Sequence, residues 1–267
     1  MQLAYAVDHE NKIIYYDEKM KDVIPSLDYK KVKITSSIST SKIKEEKLFL
    51  FVSSVDNTLL YKNEWLGTHP NGLLLLPGVF FRTANASMGF IFQNFGLTAW
   101  HNVMIAPHSK GETPNVPMIS YYDKRQWKVH ILTRPAVFVS VYKKLMKMVL
   151  DYDVAIVETT YKYPYKYPAV LGKEVCAYGV ISATNGVATF ASYLPSIIEV
   201  KSECPSLERG MEVTLASAYS GIRKGRVIST NVEIAYHVVP KFLIQIKKSF
   251  MIDIPSIPGD SGGAVYI

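Results

Sequence analysis

The sequence predicts an all-β fold, and three observations carry that prediction. Short β-branched and aromatic runs recur along the chain, as in Lys12-Ile13-Ile14-Tyr15-Tyr16, Ala136-Val137-Phe138-Val139-Ser140-Val141-Tyr142 and Lys241-Phe242-Leu243-Ile244-Gln245-Ile246; such side chains suit a pleated, half-buried surface. Polar or Gly-containing punctuators separate them, among them Ser36-Ser37-Ile38-Ser39-Thr40-Ser41 and Asn94-Phe95-Gly96. A chain of 267 residues, 48% of them hydrophobic, can bury a sizeable core, so it is globular rather than disordered.

Taken in order, residues 1–77 alternate short apolar runs with lysine-rich stretches and read as a strand-rich N-terminal extension that lends a strand or two to the first barrel, without chemistry of its own. Met1 to Asn11 carries Asp8, His9 and Glu10 where an export signal needs an apolar run, so export is not indicated. The longest apolar stretch, from Leu73 through Phe81, is interrupted by Pro77 and Gly78 and falls short of the roughly 20 residues of a membrane helix, so no membrane span is expected. Gly89-Phe90-Ile91-Phe92 and Gly96-Leu97-Thr98-Ala99-Trp100-His101 read as two strands joined by a turn, the second ending at a histidine. A proline-containing loop and further strand pieces follow. Lys143 to Leu150 fits a short helix as well as a strand. The tract Tyr161-Lys162-Tyr163-Pro164-Tyr165-Lys166-Tyr167-Pro168 is extended and reads as a crossover between two halves. Its rival reading, a stacking tape for single-stranded nucleic acid, is the weaker one. Gly172 to Gly179 and Gly210 to Tyr219 are equally good candidates to open the second half.

The chemistry concentrates at Gly259-Asp260-Ser261-Gly262-Gly263. Glycine reaches backbone angles closed to other residues, and glycines after Ser261 leave room for a substrate chain. A turn of this kind can aim the amides of Gly259 and Ser261 at one developing oxyanion. A serine hydroxyl needs a base, and His101 ends a strand upstream. An aspartate to orient that base stands at Asp153, abutting the apolar run Val154-Ala155-Ile156-Val157. Asp151, on the same strand face, and Asp123, in a polar loop, are its rivals.

Thr98-Ala99-Trp100-His101, Asp153-Val154-Ala155-Ile156-Val157 and Gly259-Asp260-Ser261-Gly262-Gly263 resemble the three signature blocks of the trypsin/chymotrypsin-like serine proteases, in that family's order of His, Asp and Ser. The resemblance implies two six-stranded antiparallel Greek-key barrels, with residues 78–165 carrying His101 and Asp153 and residues 166–267 carrying Ser261, and it implies strand at Lys143 to Leu150. It implies a serine endopeptidase in which His101 is the general base, Asp153 orients it, Ser261 attacks the scissile carbonyl and a polypeptide is the substrate. Pro255 occupies the position six before the serine and, with Ser256, would wall the substrate pocket, which favours an uncharged residue before the scissile bond. The family continues with cleft-lining strands after the serine, whereas this sequence stops at Ile267. The second barrel is therefore expected to be truncated, with an open edge. A longer gene product is the favoured reason, ahead of strands supplied from elsewhere or lost activity. No Ile-Val-Gly-Gly-like string marks an activation cleavage, so Asp260 needs another cation or the domain is built active. With few cysteines and no export signal, the chain looks similar to a protease region of an RNA-virus polyprotein; the alternative is an inactive protease-like fold that binds protein or RNA.

Cys176 and Cys204 are too few for a disulfide framework, which favours a reducing, intracellular setting or a lineage that dispenses with disulfides. The histidines show no zinc spacing, and neither metal nor cofactor is implied. Thirty basic against twenty-three acidic residues give a formal charge of +7, enough for nonspecific contact with polyanions, but the lysines are dispersed rather than clustered.

Overall fold

The structure, a computed structural model, describes residues 3–34, 72–75, 85–87, 89–92, 95–102, 118–120, 128–130, 140–142, 145–158, 175–196, 198, 203–217, 220–239, 242–257 and 259–267. Their regular structure is strand, with two single-turn 3-10 helices at Glu18–Met20 and Trp100–Asn102. None of the helices is long and apolar enough to cross a membrane. The strands are β1 (Leu3–Asp8), β2 (Ile13–Tyr16), β3 (Lys30–Lys33), β4 (Gly72–Leu75), β5 (Asn85–Ser87), β6 (Ile91–Phe92), β7 (Phe95–Thr98), β8 (Met118–Ser120) and β9 (Lys128–His130). They continue with β10 (Ser140–Tyr142), β11 (Leu145–Leu150), β12 (Ala155–Glu158), β13 (Ala177–Thr184), β14 (Thr189–Tyr193), β15 (Glu212–Ser217), β16 (Gly221–Val239), β17 (Phe242–Ile252) and β18 (Ala264–Tyr266). The protein is all-β, as its strand-like runs require.

A closed ring dominates the second half. β17 pairs with β14, β14 with β13, β13 with β18, β18 with β15, β15 with β16, and β16 returns to β17, every contact antiparallel. The expected open edge after Ser261 is thus corrected. β18 is paired on both sides by β13 and β15, which precede the serine in the chain. Both candidate openers of this half, Gly172 to Gly179 and Gly210 to Tyr219, contribute to the ring. Its interior is filled by Ile181, Ala191, Val213, Leu215, Val227, Phe250, Ile252 and Val265. Complete burial of a side chain such as Phe250 contributes about 2–3 kcal/mol.

The β16–β17 hairpin runs beyond the ring. Its outer half takes β1 along β16, in the register Ala6 to Ile234, and β11 in parallel along β17, from Met146 on Phe242 to Leu150 on Ile246. The strand reading of Lys143 to Leu150 is explained by that pairing, since β17 offers β11 a complete edge. β1 is buried at every residue and extends the second half's sheet, with β2 antiparallel to β1 and β3 parallel to β2, whereas β4, also within residues 1–77, pairs with β5 and β8 of the first half. The first half contributes two small sheets among the described residues, β6-β7-β12-β9 and β5-β4-β8. An apolar cluster of Phe90, Leu97, Ala99 and Val154 against Ala177, Val180, Ala216 and Ala264 joins the two halves beside the site.

Cys176 and Cys204 form a disulfide, with 5.3 Å between their Cα atoms and a sequence separation of 28. This single bridge uses both cysteines of the sequence. The bridge ties the chain before β13 to a loop that also accepts the Tyr178 hydroxyl at Pro205 O, 2.8 Å away. Closing a loop of that length restricts the unfolded chain, and Cys204→Ser is expected to lower stability by about 3 kcal/mol. Urea unfolding of the oxidised protein and the variant measures this, and a difference below about 1 kcal/mol would contradict the bridge.

Candidate active site

Three separate segments meet where the halves join. His101 lies in the single turn Trp100–Asn102 that follows β7, Asp153 stands two residues before β12, and β7 and β12 are neighbours, Ala155 opposite Thr98. The pairing brings the two side chains together: His101 Nδ1 lies 2.7 Å from Asp153 Oδ2, and the His101 amide donates to Asp153 Oδ1 at 2.9 Å. The Ser182 hydroxyl donates to the same Oδ2, and the Asp153 amide donates to Ser192 Oγ at 2.8 Å. Asp151, by contrast, is exposed, its carbonyl accepting from the Lys248 amide at 2.9 Å. Asp123 and the Tyr161 to Pro168 tract lie outside the described residues.

Burial alone would raise the Asp153 carboxyl, but the His101 charge and the hydrogen bonds from His101 and Ser182 outweigh it and hold the carboxyl below its ordinary range. An ionised carboxylate only accepts, so the proton between the pair sits on Nδ1 and the free lone pair of the imidazole is on Nε2. This is the tautomer a general base requires.

The serine stands in a turn fixed from several sides. Gly259 and Gly262 have φ of 103° and 90°, in the left-handed region where a side chain is strained. A Cβ at Gly262 would stand 2.2 Å from both Ser87 O and Thr98 Oγ1, so the need for glycine here comes from the other half of the protein and not, as the sequence suggested, from room for a substrate. Ser261 O accepts from the Ser87 amide at 2.8 Å and from Asn102 Nδ2 at 3.0 Å, while Ser87 Oγ donates to Gly259 O at 2.7 Å. The amides of Gly259 and Ser261 find no acceptor among the described residues. The Ser261 hydroxyl points to Ser182 O at 3.5 Å and makes no hydrogen bond to His101 in this arrangement. His101 is 2% exposed, Ser261 7% and Asp153 0%, so the three side chains are shielded from bulk water.

Asp260 is buried and pairs with Arg223, Nη2 to Oδ2 at 3.1 Å. It also accepts from Ser217 Oγ, from the amide and hydroxyl of Ser220, and from the Ile257 amide. The cation that the sequence demanded for Asp260 is therefore supplied within the chain, and Arg223 reaches on to Pro255 O. Of the residues expected to wall a substrate pocket, Pro255 is exposed and Ser256 is 6% exposed. Asp253 turns away to the Arg226 amide, which donates to its Oδ1 at 2.7 Å.

Sequence reasoning missed Ser87, Asn102, Ser182 and Arg223. Asn102 adjoins His101 and its amide could have been suspected. The others lie far from the signature blocks, and only pairing places them. Among the described residues no group of three His, Cys, Asp or Glu side chains is placed to hold a metal ion.

No family model matches the chain, and no curated protein does. Among solved structures, a glutamic acid specific serine protease described as using a histidine triad in substrate binding aligns over 69% of this chain and 72% of its own, at 15% identity and a TM-score of 0.33. The MamO protease domain from Magnetospirillum magneticum aligns over 74% of this chain and 79% of its own, at 14% identity and a TM-score of 0.34.

Proposed function

We propose that the chain is a serine endopeptidase that hydrolyses polypeptides through an acyl-enzyme on Ser261. The observation that carries this reading is the buried His101–Asp153 pair, 2.7 Å between Nδ1 and Oδ2, in the same site as a glycine-flanked serine and linked to it through Ser182. In the reaction the Ser261 hydroxyl turns from Ser182 O to Nε2 of His101, loses its proton there and attacks the scissile carbonyl. Asp153 holds the imidazolium that forms, and the amides of Gly259 and Ser261 receive the oxyanion. The imidazolium then protonates the leaving amine, and a water molecule activated by the same nitrogen releases the acid. Pro255 and Ser256 are proposed as part of the specificity wall, and residues 78–165 and 166–267 as the two working halves.

The substrate is proposed as a polypeptide, with processing of a viral polyprotein as the narrower form of the same reading. Fluorophosphonate labelling followed by peptide mass analysis tests the reading. The expected adduct is on Ser261 and absent in Ser261→Ala. A folded protein that takes no label at any probe concentration would overturn catalysis and favour a binding role for the same fold.

A further inference from the structure

The triad leaves one fully buried polar group beside it unexplained. Tyr236 lies in the outer half of β16, opposite Ile244 of β17, and is 0% exposed. Its ring packs edge-on against His101, with centroids 5.3 Å apart and planes at 64°. Among the described residues its hydroxyl makes no hydrogen bond of normal geometry, although Asp153 lies close enough to raise its pKa. An unpaired hydroxyl in an apolar interior costs roughly 1–3 kcal/mol by protein mutational measures, a cost that phenylalanine would avoid.

The neighbouring carboxylate has the complementary deficit. A carboxylate offers about four lone-pair sites. Asp153 Oδ2 accepts from His101 Nδ1 and Ser182, while among the described residues Oδ1 accepts only from the His101 amide. One acceptor site on Asp153 is therefore open beside one donor without an acceptor. Burial first, and then the charge of Asp153, hold the Tyr236 phenol well above its ordinary value, so it stays a neutral donor throughout the working range.

We propose that Tyr236 is a positioning residue of the triad, its hydroxyl closing onto the open lone pair of Asp153 and its ring fixing the imidazole plane of His101. The role rests on the protease reading above. It also gives the β16–β17 hairpin a function. By extending past the ring and being held by β1, the hairpin carries a residue of the second half over the acid–base pair of the first.

Tyr236→Phe removes only the hydroxyl, and Tyr236→Leu removes the ring as well. Two readouts serve: the proton resonance of the His101 Nδ1–H, and the kinetics of fluorophosphonate labelling resolved into a binding constant and a maximal inactivation rate. With the donor gone, more negative charge remains on Asp153, so the Nδ1–H resonance of Tyr236→Phe is expected to move downfield. The maximal inactivation rate is expected to fall about 10-fold with binding unchanged, the scale of one hydrogen bond to a charged group. Tyr236→Leu is expected to lose more. An unmoved resonance and an unchanged inactivation rate in Tyr236→Phe, with the wild type labelling normally, would overturn the role of Tyr236 alone. A resonance that moves in Tyr236→Phe while the wild type takes no label would retire the protease reading and keep the coupling of Tyr236 to Asp153.

Discussion

Asp153→Asn is expected to reduce the labelling rate of Ser261 by on the order of 10⁴-fold while the protein stays folded. The side chain keeps its shape, but an amide nitrogen now faces Nδ1. The imidazole answers by moving its proton to Nε2, the nitrogen proposed to accept from Ser261. A loss smaller than 10-fold would show that Asp153 does not set the tautomer. The same carboxylate links stability to pH. Its folded value is depressed, so its stabilising contribution is present above the ordinary unfolded value, near 3.9, and is lost as pH falls through the lower folded value. Thermal unfolding of the wild type and Asp153→Asn should therefore converge as the solution is acidified below about pH 4.

Arg223→Met is expected to cost about 3 kcal/mol of stability and to slow labelling, because it leaves Asp260 a buried carboxylate without a cation. Methionine retains much of the apolar stem, so the loss reports the guanidinium. The figure belongs at the low end for a broken buried pair for two reasons: the Arg223 side chain is 22% exposed, and three hydroxyl or amide groups besides Ser217 Oγ still donate to Asp260. Lys224–Glu212, with side chains 69% and 60% exposed, is the control, and Lys224→Ala should stay within about 0.5 kcal/mol. Urea midpoints decide between them. Equal, small effects for both variants would mean that Asp260 is satisfied by its neutral donors and that Arg223 is not what holds the turn of Gly259 and Ser261.

What the sequence determined by itself is local. Gly259 to Gly263 is legible because glycine's backbone freedom is a property of the residue, and the turn does use left-handed angles at Gly259 and Gly262. Asp153 could be preferred to Asp151 because it abuts an apolar strand, and β12 indeed starts two residues on, beside the strand that leads to His101. The all-β class followed from the type and spacing of the apolar runs. Tertiary structure decided the rest, through contacts between residues far apart in the chain. The closure of the ring around β18 from upstream strands has no local signal, since any strand with a free edge and the right length can pair. The disulfide between Cys176 and Cys204 needs only that a loop return to within bridging distance, which spacing does not encode. Ser182, Arg223 and Tyr236 are an ordinary serine, arginine and tyrosine in sequence. They acquire meaning because a buried carboxylate must be hydrogen-bonded or paired, and the fold places these side chains within reach of Asp153 and Asp260.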